Sequence, residues 1–342
     1  DLRTRVRARV ISHALRDLVK ASDRVIIMGH QAPDMDSIGS AIGILNIAQT
    51  NGVDGYIVFD PEDVSTGVNR LVSAIKAEPK LWEHFVDPDT AEDLNTSRSL
   101  IVIVDTHKPS MVVSKRLLSR SEYKVVIDHH RRAEEFIDNP TLVYMEPYAS
   151  STAELVTELL EYQPKGEKLK MLEATALLAG ITVDTKSFTL RTGSRTFDAA
   201  SYLRAKGADT VLVQQFLKED LDLYVKRSKL IERTEIYRNS IAITKADPND
   251  VHGPVLIAQT ADTLLTMTGI SASFVIAERS DGKIGISARS LGEINVQIIM
   301  EQMNGGGHLT NAATQLENTT IEEAESRLKE ILDEYYEGSE VE

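Results

Sequence analysis

The chain has 342 residues and no cysteine, so disulfides are excluded, and its length favours two domains over a single hydrophobic core. It has 38 basic and 52 acidic residues, and the resulting net charge of −14 argues against a broad basic groove for long nucleic acids but leaves small nucleotides open. The sequence contains neither an apolar stretch of about eighteen residues nor a signal peptide, so we expect no membrane contact by the chain itself.

Residues 1–22 are expected to form an N-terminal connecting helix. Between Thr4 and Lys20, apolar residues recur at helical spacing among arginines. Two interpretations stay open, because the helix could pack on the domain that follows or continue a helix from upstream. Since the chain starts at Asp1 rather than at methionine, we expect it to be a fragment or a processed product.

Residues 23–220 are predicted to form an α/β domain with a doubly wound, mostly parallel sheet. Short apolar runs rich in β-branched residues alternate here with helical segments, a pattern typical of parallel strands that are covered on both faces. The predicted strands are residues 24–29, 55–59, 100–104, 124–127 and 142–145.

Three of these strands end on side chains that can bind a metal ion. Ligands of open α/β sheets bind beyond the carboxyl ends of the parallel strands, so side chains at these ends are expected to converge. A further acid, Asp184, lies where an apolar helical stretch gives way to a turn, and an N-cap role does not explain it there. The strand-end residues are His30, Asp34 and Asp36, then Asp105, then Asp128, His129 and His130.

Two histidines and four aspartates are too many ligands for one ion, but they suit two ions that share a bridging carboxylate. Oxygen and imidazole ligands without a thiolate favour two Mn²⁺ ions, for which Mg²⁺ or Co²⁺ could substitute, over a closed structural zinc site. Two metal ions about 3.5–4 Å apart are suited to in-line displacement at phosphorus. The candidate metal ligands are His30, Asp34, Asp36, Asp105, His129 and Asp184.

Each of these residues also has a simpler interpretation when it is taken alone. Asp34 and Asp36 could form a turn or cap the helix predicted from Ser37 to Thr50. Asp105 could be a surface acid at a strand end, and the two histidines after Asp128 could be ordinary, partly buried side chains. Only their combination at strand ends favours a site.

A linker helix is expected at residues 221–240, based on a polar helical segment from Leu221 to Arg238, and a smaller α+β domain is expected at 241–342. Ser280-Asp-Gly-Lys283 is a strong hairpin signal between the last two predicted strands. We expect the active site in the cleft between the two domains. The strands predicted for this region are residues 240–245, 255–259, 272–278 and 283–289.

Two features of the second domain could bind an anion. A predicted strand ends at Arg289 and Ser290, and a guanidinium fork suits a phosphate. The run Gly305, Gly306 and Gly307, followed by His308, would let backbone amides approach an anion closely. A solvated arginine and a flexible glycine turn are the simpler alternatives.

The motifs resemble, in type and order, those of the DHH/DHHA1 phosphoesterases over nearly the whole chain. Within that family, residues 5–14 and 185–200 resemble the GdpP-type cyclic di-AMP phosphodiesterases. The motifs that carry the resemblance are His-x-x-x-Asp-x-Asp at 30–36, Asp105, Asp-His-His at 128–130, Asp184 and Gly-Gly-Gly-His at 305–308.

The resemblance implies a role for each candidate residue. His30 and Asp34 would hold one ion, the other ion would bind to Asp36, His129 and Asp184, and Asp105 would bridge the two. His130 would face the phosphate, and Asp128 would orient its neighbours. The catalytic residues would be His130 and Asp105, and the substrate-binding residues would be His130, Arg289, Ser290, Gly305, Gly306, Gly307 and His308.

The implied reaction is Mn²⁺-dependent hydrolysis of cyclic di-AMP to linear 5′-pApA by a metal-activated hydroxide. The resemblance also implies a homodimer, and a cytoplasmic domain of a membrane-anchored bacterial protein whose membrane part is absent from this sequence. The sequence does not indicate whether adenine or guanine is preferred, because no linear motif reveals base recognition.

Three other functions stay open. The first is a short-oligonucleotide exonuclease or pAp phosphatase of the same superfamily, with the same metals and a linear substrate. The second, a manganese pyrophosphatase, is disfavoured by the glycine-rich loop near the end of the chain. The third is a non-catalytic nucleotide sensor, and the complete set of six ligand candidates argues against it.

Overall fold

The computed structural model describes residues 4–339, which divide into two compact units at residues 218 and 219. The first unit comprises residues 4–218 and the second comprises residues 219–339. The outermost parts of the predicted domains, residues 1–3 and 340–342, lie outside the described residues. Within the described chain, no helix has both the length and the apolar character needed to cross a membrane.

The first unit contains a six-stranded parallel sheet, which includes the five strands predicted from the sequence. Its strand order is β3-β2-β1-β4-β5-β6, so the direction of winding reverses between β1 and β4. The short strand β3 was not predicted, because two half-buried residues carry no periodic signal. The strands are β1 (Val25–Met28), β2 (Gly55–Val58), β3 (Phe85–Val86), β4 (Leu100–Val104), β5 (Tyr123–Asp128) and β6 (Leu142–Met145).

Helices cover both faces of this sheet, which is why its strands are apolar on both sides. Along β1, Val25 and Ile27 belong to one hydrophobic cluster, while Ile26 and Met28 belong to another. The helices are α1 (Arg5–Ala21), α2 (Met35–Thr50), α3 (Asn69–Lys76), α4 (Pro79–Trp82), α5 (Pro88–Leu94), α6 (Lys115–Ser119), α7 (Thr152–Glu161), α8 (Met171–Asp184), α9 (Ser194–Ala205) and α10 (Thr210–Phe216).

Two glycines let α2 and α8 pack unusually closely. A Cβ atom on Gly39 would lie 2.5 Å from the carbonyl oxygen of Ala176, and one on Gly180 would lie 2.9 Å from the Cα atom of Asp36. Any larger residue would therefore push the helices apart. This close packing brings the beginning of α2 beside the last turn of α8, which ends at Asp184.

The second unit is a mixed sheet with helices, in agreement with the predicted α+β class. The strand order is β11-β12-β10-β9-β8-β7, and all neighbouring strands are antiparallel except β8 and β9. The strands are β7 (Thr234–Tyr237), β8 (Ile241–Lys245), β9 (Ala272–Glu278), β10 (Ile284–Ser290), β11 (Gly306–His308) and β12 (Asn311–Leu316). The helices are α11 (Leu221–Glu232), α12 (Pro254–Leu265), α13 (Val296–Glu301) and α14 (Ile321–Ser339).

Two predictions for this unit were wrong. The strand predicted at 255–259 is the first half of α12, which begins at Pro254 and buries Leu256, Ile257 and Leu264 on one face; proline is well suited to a first helical position. The helix predicted from Leu221 to Arg238 ends at Glu232, and residues 234–237 form the edge strand β7 instead. The predicted hairpin between β9 and β10 is confirmed.

Candidate metal centre

The candidate metal ligands of the first unit converge at the carboxyl ends of β1, β4 and β5. His30 follows β1, Asp105 follows β4 and His129 follows β5. The neighbouring strands β1 and β4 flank the point where the strand order reverses, which is the usual ligand site of a doubly wound sheet. The three strands thus deliver their polar residues to one place, as the sequence predicted for such a sheet.

One group of ligands is built around His30. Its Nε2 atom lies 3.2 Å from Asp105 Oδ2 and 3.6 Å from Asp34 Oδ1, while Nδ1 donates a hydrogen bond to the carbonyl oxygen of Gln31 at 2.7 Å. This second contact turns Nε2 toward the carboxylates, as is usual for a metal-ligating histidine. Asp34 also caps α2, because its Oδ1 atom accepts from the Ser37 N–H at 2.8 Å. Both earlier interpretations of this residue, as a helix cap and as a metal ligand, therefore agree with its position.

A second group surrounds His129. Its Nε2 atom lies 3.2 Å from Asp184 Oδ2, 3.5 Å from Asp105 Oδ1 and 3.6 Å from Asp36 Oδ2. The ring is buried, and neither of its nitrogens makes a hydrogen bond within residues 4–339. A buried imidazole nitrogen that faces three carboxylates without a hydrogen bond is well placed for a cation among them.

Asp105 joins the two groups, because its Oδ2 atom faces His30 and its Oδ1 atom faces His129. The hydroxyl of Thr152 also donates to Oδ1 at 3.1 Å. The backbone of Asp105 has φ of 64°, in the left-handed region that is uncommon for residues other than glycine. Such strain persists where the surroundings hold a residue in place, and it is concentrated at functional sites.

The amino terminus of α7 holds the carboxylate of Asp36. The N–H of Ala153 donates to Oδ1 at 2.7 Å, and the N–H of Thr152 donates to Oδ2 at 3.0 Å. Both amides belong to the first turn of α7, whose unpaired donors and dipole favour an anion. Thr152 therefore contacts both Asp36 and Asp105.

The charges of this cluster fit a divalent cation. Burial and the neighbouring charge of Asp105 raise the pKa of Asp34 and of Asp36. Burial alone would lower the pKa of His30 and His129, but the carboxylates around them raise these values to about 11 and about 10. The cluster thus retains protons to balance its negative charge, and bound cations would take over that role.

His130 lies beside this cluster and is half exposed. Its Nδ1 atom donates to Asp128 Oδ1 at 2.6 Å, and its ring centroid lies 4.3 Å from that of His129. Burial alone would raise the pKa of Asp128, but His130 and His107 hold it below its ordinary value. Asp128 thus contacts His130 as an orienting residue would.

The sequence analysis missed two residues that contact these side chains, Thr152 and His107. His107 lies two residues after Asp105, and Thr152 follows two serines, but no linear pattern connects either residue to its partners. Only the tertiary structure, in which separate elements meet, reveals them.

In the second unit, the two predicted anion-binding side chains at the end of β10 already have partners. Arg289 donates from Nε to Asp262 Oδ1 and from Nη1 to the carbonyl oxygen of Ala288, both at 2.9 Å. The buried hydroxyl of Ser290 donates to the carbonyl oxygen of Ile294 at 2.6 Å. Ser290 therefore supports the local turn, and Arg289 could bind an anion only beside the carboxylate of Asp262.

The three glycines at 305–307 differ in how closely they are packed. A Cβ atom would lie 2.2 Å from the carbonyl oxygen of Ala313 at Gly305, and 2.4 Å from that of Asn311 at Gly307, where φ is also 149°. Gly306 is exposed, and a Cβ atom there would meet no atom within 4 Å. Packing thus explains the outer two glycines but not Gly306. His308 ends strand β11 and is exposed.

Comparison with protein families agrees with this architecture. Residues 24–181 match the DHH family, N-terminal domain, and residues 240–338 match the DHHA1 domain. The chain therefore belongs to the DHH/DHHA1 family.

Among curated proteins, the chain is 63% identical over 338 residues to the cyclic-di-AMP phosphodiesterase GdpP of Geobacillus thermodenitrificans, covering 99% of this chain and 51% of that protein. It is 58% identical over 338 residues to the cyclic-di-AMP phosphodiesterase PdeA of Listeria monocytogenes, with the same coverage. The chain thus spans about half the length of these relatives.

Among solved structures, an exopolyphosphatase-related protein from Bacteroides fragilis matches with a TM-score of 0.80 at 19% identity, covering 95% of this chain and 96% of that one. At this identity, the match supports the shared fold.

Proposed function

We propose that this chain hydrolyses cyclic di-AMP to linear 5′-pApA with two divalent metal ions, preferably Mn²⁺. The observation that carries the proposal is the position of Asp105, which presents one carboxylate oxygen to each of two separate histidine and aspartate groups. This arrangement suits a dinuclear centre for hydrolysis at phosphorus. The choice of substrate is supported by the activity for which the relatives that are 58% and 63% identical are named.

We assign one ion to His30 and Asp34 and the other to Asp36, His129 and Asp184, with Asp105 shared between them. Bound ions at these positions would lower the pKa of a water molecule and offset negative charge on the phosphate. The chain's own contribution is to hold the ligands in place. Backbone amides at the start of α7 hold Asp36, and the hydroxyl of Thr152 holds Asp105.

His130 is proposed to contact the phosphate of the substrate. Its Nδ1 atom donates to Asp128, so Nε2 is the nitrogen left to face the substrate, and it donates to a phosphate oxygen when the ring is protonated on both nitrogens. Such a hydrogen bond would stabilise the negative charge that develops during the displacement. Hydrolysis adds one water molecule across a P–O3′ bond: the hydroxide bonds to phosphorus, the proton goes to the leaving 3′ oxygen, and the phosphate stays on the 5′ oxygen, which opens the ring.

The second unit is proposed to bind the substrate through Gly306 and His308. An exposed glycine without a packing role allows close approach of a ligand to the backbone, and the exposed imidazole can donate to a phosphate. We assign Arg289 a secondary role, because its guanidinium already pairs with Asp262.

Chromatographic product analysis tests the proposal. The purified protein would be given Mn²⁺ and, in parallel, cyclic di-AMP, cyclic di-GMP, linear pApA or pyrophosphate. We expect metal-dependent conversion of cyclic di-AMP to pApA, which then accumulates. Preferred cleavage of pApA to AMP would identify a short-oligonucleotide exonuclease instead, and a lack of turnover with all four substrates would favour a nucleotide sensor.

The homodimer and the cytoplasmic position in a membrane-anchored protein also stay predictions. Light scattering would test the first, and localisation of the full-length protein would test the second.

A further inference from the structure

His107 is a buried histidine outside the proposed set of metal ligands. Its Nε2 atom accepts a hydrogen bond from the backbone N–H of Ala133 at 2.9 Å, and its Nδ1 atom lies 2.7 Å from Asp128 Oδ2. A backbone amide can only donate, so Nε2 must be the unprotonated nitrogen. The proton is therefore on Nδ1, which donates it to Asp128.

Asp128 connects His107 to His130. One carboxylate oxygen, Oδ2, accepts from His107, and the other, Oδ1, accepts from the Nδ1 atom of His130 at 2.6 Å and from its backbone N–H at 3.2 Å. The carboxylate is fully buried. Hydrogen bonds to both oxygens thus fix the plane of the Asp128 carboxylate and the direction of its hydrogen bond to His130.

The position of His107 itself is fixed by its surroundings. The ring lies 5.3 Å from that of Phe136, measured between centroids, and the backbone carbonyl oxygen of His107 accepts from the N–H of Ile137 at 3.0 Å. His107 is buried, whereas the side chain of His130 is 52% exposed. Of these two histidines, His107 is therefore the one that is held in place, and His130 is the one that can reach a ligand.

We propose that His107 is a positioning residue that acts through Asp128 to hold His130 with Nδ1 toward the protein and Nε2 toward the substrate phosphate. This inference rests on the proposed function, because it takes His130 as the residue that contacts the phosphate. His107 itself touches neither the substrate nor the proposed ions. Loss of its donor would leave a buried oxygen of Asp128 unpaired and allow the carboxylate to rotate.

A set of variants separates positioning from packing. His107→Phe keeps a planar ring but removes the donor, whereas His107→Asn places an amide N–H close to the position of Nδ1 and keeps the donor. His107→Gln places its amide nearer to Nε2, so it retains the contact with Ala133 but not the one with Asp128. His84→Phe is the matched control, because the ring of His84 is also hydrogen-bonded to the backbone of the same unit, with Nδ1 donating to the carbonyl oxygen of Gly55.

Two readouts are needed. Nitrogen-15 spectra of the imidazoles, recorded on the metal-free protein, report which ring nitrogen of His130 carries a proton. In wild type and His107→Asn, we expect the spectrum of a His130 ring whose Nδ1 atom donates a hydrogen bond. In the Phe and Gln variants, we expect the His130 spectrum to change. Hydrolysis of cyclic di-AMP should show a kcat lowered by about 10- to 100-fold in the Phe and Gln variants, with Mn²⁺ affinity retained and His84→Phe unchanged.

A double-mutant cycle completes the test. If His107 acts through His130, then His107→Phe combined with His130→Ala should lower kcat no further than His130→Ala alone. Fully additive losses, or an unchanged His130 spectrum and kcat in both the Phe and the Gln variants, would overturn the inference. If His107→Phe fails to fold, the Asn and Gln pair gives the same contrast. Wild-type protein that turns over no substrate would reject the proposed function, whereas the spectra would still decide whether His107 positions His130.

Discussion

Binding of Mn²⁺ should release protons from the metal-free protein. The carboxylates around His30 and His129 raise the pKa of these imidazoles to about 11 and about 10, so both rings carry two protons at about pH 7.5. A metal ion can bind Nε2 only after that nitrogen has lost its proton. Occupancy of both proposed ion positions therefore requires the loss of one proton from each ring.

The number of protons released follows from these pKa values. At about pH 7.5, each imidazole is more than about 99% protonated, so we expect about two protons to be released per chain when both ions bind. The raised pKa of Asp34 and Asp36 can only add to this number. Between about pH 7 and pH 9, the observed affinity should rise about tenfold per pH unit for each proton released.

Isothermal titration calorimetry measures this release directly. Titrations with Mn²⁺ at one pH, in buffers that differ in ionisation enthalpy, give the number of protons as a slope. His30→Ala should reduce the number by about one, and His130→Ala, which removes no proposed ligand, is the control and should leave it near two. Two bound ions without proton release would refute the assignment of His30 and His129 as ligands.

The same pKa values predict how the stability of the metal-free protein depends on pH. A histidine whose pKa is raised on folding stabilises the folded state fully below its unfolded pKa of about 6.5. That contribution is lost progressively as the pH rises from about 6.5 to about 10 for His129 and to about 11 for His30. Thermal unfolding should therefore show a loss of stability between about pH 6.5 and about pH 11, and His30→Ala should reduce the loss.

Substitutions at five further positions test the proposed site. Asp105→Ala should abolish binding of both ions, and calorimetry that still detects one tightly bound ion would contradict the bridging role. Thr152→Val should weaken Mn²⁺ binding by about 10- to 100-fold, because it removes a hydrogen bond to a ligand, and Thr152→Ser should restore it. Gly307→Ala should lower the free energy of unfolding by roughly 1–3 kcal/mol or more, because φ is positive there, while Gly306→Ala should leave thermal stability unchanged and raise KM; an unchanged KM would remove Gly306 from the substrate site. His308→Ala should lower turnover or substrate affinity with Mn²⁺ stoichiometry intact, and loss of metal in this variant would contradict the assignment of all metal ligands to the first unit.

Local patterns in the sequence were sufficient to predict the class of both units. Apolar β-branched runs mark strands such as β1 and β4 because buried parallel strands need apolar side chains on both faces. The same patterns failed where an element was too short, as in β3, or where a brief apolar run was ambiguous, as at 255–259. There the helical spacing of buried residues and the proline at the start of α12 decided the outcome.

The sequence by itself determined which residues stand at the ends of the parallel strands, since an apolar run and the polar residue after it are adjacent in the chain. Only the tertiary structure decided how these residues meet. The close packing of α2 on α8 at Gly39 and Gly180 brings Asp36 and Asp184 to one histidine, and the start of α7 adds Thr152. These contacts depend on the distance between separate elements, and that distance is set by side-chain volume in the core rather than by spacing along the chain.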